Sequence, residues 1–242
     1  MNSSRRTRET LELHYLRLRR GGAILDRLAR GQVELVQREK ALDAQIYDGA
    51  LSAVLFIEDL RVGDVVEYAY TLRGANPVLE GRYSDGFDVE WSVPLRRFRY
   101  RVMWPRSRTL LVRNHGTSIA PVVRRTASGR EYVWEMEEAA PVDDPGDVPA
   151  WFPAWAWVQL TEFPSWTDVA AWAEPLYAVP SVLPPPLAAQ VEGWRQLPDD
   201  SARALAALRF VQDEVRYVGI EMGAGSHRPT PPQPPSPRSL RA

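Results

Sequence analysis

With 242 residues, 45% of them hydrophobic and 25% charged, the chain is long enough for one large domain or two small ones and has an ordinary globular composition. Its formal net charge of -1 gives no global positive field to hold phosphate, so nucleic acid is not an expected partner. The absence of cysteine excludes disulfides, thiolate metal sites and thiol catalysis within these residues, and three histidines, His14, His115 and His227, are too few to predict a metal centre or other cofactor.

The first residues are basic and lead into Leu11-Glu-Leu-His-Tyr-Leu-Arg-Leu-Arg-Arg20, too interrupted by charge for a signal-peptide core. The longest aliphatic and aromatic run, Ala53 to Ile57, is far short of the roughly 20 residues that cross a bilayer. A soluble chain, cytoplasmic by default, is the expectation, with export open should further residues precede Met1.

From Glu9 to Met136 the dominant pattern is period-two alternation, the mark of half-buried strands. Val66, Tyr68, Tyr70 and Leu72 fall on one side of one such stretch. Phe98, Tyr100, Val102 and Trp104 oppose Arg97, Arg99 and Arg101 in a second, and Tyr132, Trp134 and Met136 oppose Glu131, Glu135 and Glu137 in a third. Turn chemistry separates the stretches at Gly21-Gly22, Asp48-Gly49, Gly63-Asp64, Gly74 to Pro77, Asp85-Gly86, Asn114 to Gly116 and Ser128-Gly129. The spacing predicts an antiparallel β-sandwich or related all-β layer over residues 1–140. The Arg and Glu rows could pair across strands, but solvated faces are the preferred reading.

Residues 141–182 read as a linker and a Trp-rich junction ending in a first helix. Pro141 to Pro149 supports neither strand nor helix, and its Asp143, Asp144 and Asp147 lack the spacing and distal Glu of a calcium loop. Trp151, Trp155 and Trp157 come next. Exposed, they would, with Trp166 and Trp172, stack on sugar rings or pack on a protein or peptide partner; the preferred reading is a hydrophobic seam between the sandwich and the helical part. Ser165 with Asp168 three residues on predicts a helix N-terminus. Over residues 183–227 the pattern predicts a helix reaching Trp194 and another after Pro198-Asp-Asp, with Leu205, Leu208, Val211, Gln212 and Val215 on one face. Residues 228–242 are proline-rich without aliphatic periodicity, and disorder is the expectation there.

Three blocks in order carry a family resemblance. Ile57-Glu-Asp-Leu-Arg-Val-Gly-Asp-Val-Val-Glu-Tyr-Ala-Tyr70 with Arg73-Gly-Ala-Asn-Pro77 resembles the β-rich domain of unknown function that precedes the catalytic domain of bacterial transglutaminase-like proteins. Gln159-Leu-Thr-Glu-Phe-Pro-Ser-Trp-Thr-Asp-Val169 resembles the joining segment, and Ala206 to Pro229 resembles the opening of the α+β catalytic core. The resemblance implies a Cys-His-Asp arrangement, with the thiolate at a helix N-terminus. All three positions lie beyond Pro229 in the family pattern, so no catalytic residue is carried over to this sequence.

His227 next to Ser226 in Gly223-Ala-Gly-Ser-His is the remaining nucleophile-and-base candidate. Adjacent residues of an extended segment point to opposite sides, and Ala224 and Arg228 stand where a nucleophile elbow needs glycine. The expected function is therefore a non-catalytic, truncated fragment with at most a binding or scaffold role. The alternative is half of a cysteine transglutaminase- or peptidase-like enzyme, completed by a separate chain carrying Cys, His and Asp. The abrupt Pro-Ser-Arg ending after Pro231 in an Arg- and Ala-rich sequence predicts that another reading frame of the coding DNA supplies Gly-Asp-Cys within about 20 codons.

Overall fold

The alternating stretches fold as strands, giving a mainly antiparallel β structure with three α-helices among the described residues. The computed structural model describes residues 9–28, 33–37, 46–47, 51–143, 146, 148, 155–178, 180–215, 219–220 and 227–229. In chain order the strands are β1 (Thr10–Arg20), β2 (Ala23–Asp26), β3 (Val33–Gln37), β4 (Ile46–Tyr47), β5 (Leu51–Leu55), β6 (Val65–Arg73), β7 (Ser84–Asp88), β8 (Leu95–Pro105), β9 (Leu111–His115), β10 (Val122–Arg125), β11 (Gly129–Ala139), β12 (Trp157–Thr161) and β13 (Gly219–Ile220). The helices are α1 (Trp166–Ala173), α2 (Pro185–Arg195) and α3 (Asp200–Glu214). The chain divides into two units, one of Met1–Val78 with Ala173–Ala242 and one of Leu79–Trp172.

The Leu79–Trp172 unit holds two three-stranded antiparallel sheets, ordered β10-β11-β8 and β7-β12-β9. Alternation puts Phe98, Tyr100 and Val102 of β8 opposite Met136, Trp134 and Tyr132 of β11, all on one face. That face meets Phe87, Val158 and Leu160 from the other sheet in a single core. Trp134 and Val158 are fully buried, and the Phe87 ring sits 3.8 Å from Tyr100 and 5.2 Å, edge-on, from Trp134. Burying aromatic side chains of this size supplies on the order of 2–3 kcal/mol each, before the entropy of ordering them.

The opposite face of β8 and β11 corrects the preferred sequence reading. The Arg and Glu rows are not merely solvated: Arg97 donates to Glu135 and Arg101 to Glu131, each across the strand pair. The Arg97 bond holds the Glu135 carboxyl below its ordinary range. Asp85-Gly86 corrects a turn assignment, since both residues lie within β7. The glycine serves close approach instead: a Cβ at Gly86 would lie 2.7 Å from the Trp157 ring, which crosses over it from β12. Asp48-Gly49 lies outside the described residues.

In the other unit, β2-β1-β6 forms a three-stranded antiparallel sheet, β3 pairs with β5, and β13 pairs in parallel with β4. The helices start where their caps predict. The Asp168 N–H donates to the Ser165 hydroxyl at 3.2 Å, and the Ala202 N–H donates to the Asp199 carboxylate at 2.7 Å. Trp194 of α2 meets Phe210 of α3 edge-on at 5.5 Å. The predicted stripe on α3 stays uncovered, with Leu205, Leu208, Val211 and Val215 all about half exposed.

Candidate binding surface

The β1–β6 pairing builds an apolar face through an irregularity. Leu11 and Leu13 are odd-numbered and Leu16 and Leu18 even-numbered, so plain alternation would send the two pairs to opposite faces. The register steps from Leu13↔Tyr70 to Tyr15↔Ala69, which leaves His14 as the extra residue of a β-bulge. All four leucines then share a face with Val66, Tyr68, Tyr70 and Leu72. His14 turns to the polar face, where its Nε2 lies 2.7 Å from the Thr71 hydroxyl.

Half of that face is closed and half open. Leu16 and Leu18 are buried, whereas Tyr68, Tyr70 and Leu72 are 64%, 51% and 60% exposed. The β3–β5 pair presents a second apolar face, since Val33, Leu35, Ala53 and Leu55 alternate to one side. Ala53 and Leu55 come down opposite Leu11, Leu13, Tyr68, Tyr70 and Leu72 and leave an open apolar groove of about 290 Å³. The Tyr68 and Tyr70 rings stack in parallel at 6.3 Å, forming a flat wall. Such a groove takes an apolar or aromatic segment, its lining being aliphatic apart from the Tyr68 and Tyr70 rings.

An ionic corner fixes the three strands that line it. Arg20, at the end of β1, grips Asp64 with two bonds of 2.8 and 2.7 Å and also reaches Asp59 at 2.9 Å. Asp59 and Asp64 belong to the connection from β5 to β6, and Arg61 within it donates from its backbone to Asp64 and from its side chain to Asp59, both at 2.8 Å. The Arg20 bonds hold the Asp64 carboxyl down at about 2. Asp59, which takes a left-handed φ of 55°, is lowered first by Arg61 and then by Arg20.

The tryptophans singled out in the sequence do not meet at this groove. Trp151 lies outside the described residues, and Trp155 is half-buried in the approach to β12. Trp157, in the central strand of its sheet, stacks on the His115 ring at 4.3 Å, and the His115 Nε2 lies 3.0 Å from the Gln159 side-chain oxygen. With Gly86 beneath the ring, its position is structurally explained. His227 is described and exposed, but Ser226 is not among the described residues. No cluster of three or more metal-ligating side chains occurs among the described residues. Sequence reasoning misses the groove because it reads Val66, Tyr68, Tyr70 and Leu72 as a core face; the break in alternation at His14 is the one signal that locates it.

The family profile of a domain of unknown function with a solved structure, DUF3857, matches residues 6–143, more than half of the chain. The fold is similar to the crystal structure of a protein from Parabacteroides distasonis named "a putative protease", with a TM-score of 0.65, 13% identity and 85% of this chain covered. The chain spans 40% of that protein's length, and at this identity the likeness concerns the fold alone. No curated protein matches the chain.

Proposed function

The chain belongs to the DUF3857 family, and from that premise we propose that its 242 residues form a non-catalytic binding module of a transglutaminase-like protein. In this reading residues 1–140 are the β-sandwich, 141–182 the linker and Trp-rich junction, 183–227 the first part of the transglutaminase-like core, and 228–242 a proline-rich tail. The observation that carries it is chemical. Acyl transfer or amide hydrolysis of the kind the resemblance implies proceeds through a thioester, and the sequence contains no cysteine to form one. The groove of β1, β5 and β6 supports the binding role, being apolar and open.

The test is an activity assay on the purified chain against amide, peptide and transamidation substrates, with the blank rate expected. Activity that survives repurification and disappears in His227→Ala overturns the reading.

A second reading, half of a cysteine enzyme completed by another chain, is favoured by one observation. The α3 stripe of Leu205, Leu208, Val211 and Val215 is exposed, and a complementary half would cover it. Sequencing the coding DNA and translating the other two frames from the Pro231 codon checks it. A Gly-Asp-Cys motif within about 20 codons, with His and Asp codons farther on, supports a missing catalytic half; a frame without cysteine removes that support.

A further inference from the structure

We propose that the edge of β6 away from β1, which pairs with no strand among the described residues, pairs antiparallel with β6 of a second copy of this chain, in a register centred on Tyr70, so that the apolar grooves of the two copies merge into one. This association goes beyond the binding-module reading and stands without it.

A strand edge carries a row of backbone N–H and C=O groups, and stable proteins keep such edges short, charged or interrupted. The other edges of the three-stranded sheets obey that rule. β2 and β10 have four residues each, β7 carries Asp85, Gly86 and Asp88, and β9 carries Arg113. β8 is eleven residues long, but its charges are Arg96, Arg97, Arg99 and Arg101, and it ends at Pro105. Antiparallel self-pairing of β8 would set arginines near arginines. β6 stands apart by length: it has nine residues, no proline and no glycine, its two charges Glu67 and Arg73 flank an uncharged run from Tyr68 to Leu72, and among the described residues β1 is its one strand partner.

The charges of β6 are also self-complementary. Glu67 and Arg73 lie three residues to either side of Tyr70. Within the chain Arg19 donates to Glu67 at 2.9 Å and Arg73 lies 3.5 Å from Glu12; antiparallel pairing about Tyr70 sets Glu67 of each copy opposite Arg73 of the other, so these pairs join into an alternating row of charges at each end of the junction. Tyr68 then faces Leu72 of the second copy, and Tyr70 faces its own counterpart. These are the three side chains of β6 that line the groove and stand more than half exposed. Ala69 faces Thr71 on the polar side, which demands little space. A register shifted by one position, to centre on Ala69, sets Glu67 against Thr71 and Arg73 against Val65 and loses both ion pairs between the copies. Charge and shape therefore select one register and a two-fold symmetric, self-limiting pair. The result is a continuous six-stranded sheet whose apolar face runs from one groove into the other.

Sedimentation velocity on the full chain, over a concentration series through the micromolar range, tests this with three proteins. The parent chain should form a reversible dimer. Glu67→Arg and Arg73→Glu should each weaken it by about tenfold or more, because each sets like charges face to face at both ends. An equimolar mixture of the two variants should regain dimer, since each now opposes the other's charge. A mixture that stays monomeric overturns the proposal, whatever the single variants do. So does a parent chain that stays monomeric throughout, or a dimer indifferent to both reversals, which would mean association through another surface such as the α3 stripe.

Discussion

The Leu79–Trp172 unit and the unit formed by Met1–Val78 with Ala173–Ala242 are both built from alternating strands, yet they place their apolar residues differently. In the former, two sheets close on Trp104, Tyr132, Trp134, Val158 and Leu160. In the latter, Leu16, Leu18 and Val78 are the buried apolar side chains among the described residues, while Leu35, Leu51, Tyr68, Tyr70, Leu72 and the α3 stripe stay open to solvent. Stability tracks apolar area removed from water, so the closed unit supplies the rigid body. The open unit retains surface that gains free energy only when something covers it. Patterning alone does not distinguish the two, because a strand with one apolar face looks the same in sequence whether that face is covered or not.

The largest expected effect comes from the closed core. Trp134→Ala should cost about 3–5 kcal/mol, read from urea denaturation by circular dichroism, because the ring is fully buried and touches Phe87, Tyr100 and Tyr132. A cost below that of an exposed substitution would mean the core is not where the strands place it. Gly86→Ala in the same unit should cost about 1–3 kcal/mol, since the added methyl meets the Trp157 ring and the Val158 carbonyl oxygen.

Acid should act on the open unit through the Arg20–Asp64 corner. The Asp64 carboxyl is depressed from 3.8 to about 2, so its contribution is complete above the unfolded value and is lost as the pH falls from 3.8 through about 2. Asp64→Asn should flatten that part of an acid titration followed by circular dichroism; an unchanged titration would show that the corner does not hold the strands. The smallest effect is expected at the α3 stripe, where Leu208→Ser should stay within about 0.5 kcal/mol of the parent in the monomeric chain. A loss of several kcal/mol there would show that the stripe is packed in solution.

Much of the closed unit is legible in the sequence. β8 and β11 emerge from strict alternation and the N-terminus of α1 from Ser165, as in the other unit the N-terminus of α3 does from Asp199, because caps and pleats are local rules. Three features are not local. Asp85-Gly86 has turn chemistry, but the space under Trp157, 71 residues later, decides its strand role. β12 emerges from a Trp-rich segment that reads as a junction, yet it takes the centre of a sheet because β7 and β9 both leave it an edge. The bulge at His14 is visible as a break in the leucine spacing, but that Tyr68, Tyr70 and Leu72 stay open while Leu16 and Leu18 are buried is decided by packing, which the spacing does not encode. The candidate pair Ser226 and His227 is discounted in the sequence by adjacency and by Ala224 and Arg228 standing where an elbow needs glycine, and Ser226 lies outside the described residues, whereas the groove is a feature that only the packing reveals.

The most direct test of the contrast is native-state hydrogen exchange resolved to individual amides across the whole chain, at a concentration where it is monomeric. Amides of β8, β11 and β12 should exchange slowest, at rates set by global opening of the closed unit, and those of α2 and α3 should exchange orders of magnitude faster. Protection in α3 equal to or greater than that of β11 would contradict the account, since it would mean that the exposed stripe of Leu205, Leu208, Val211 and Val215 is held in a core as firm as the one around Trp134.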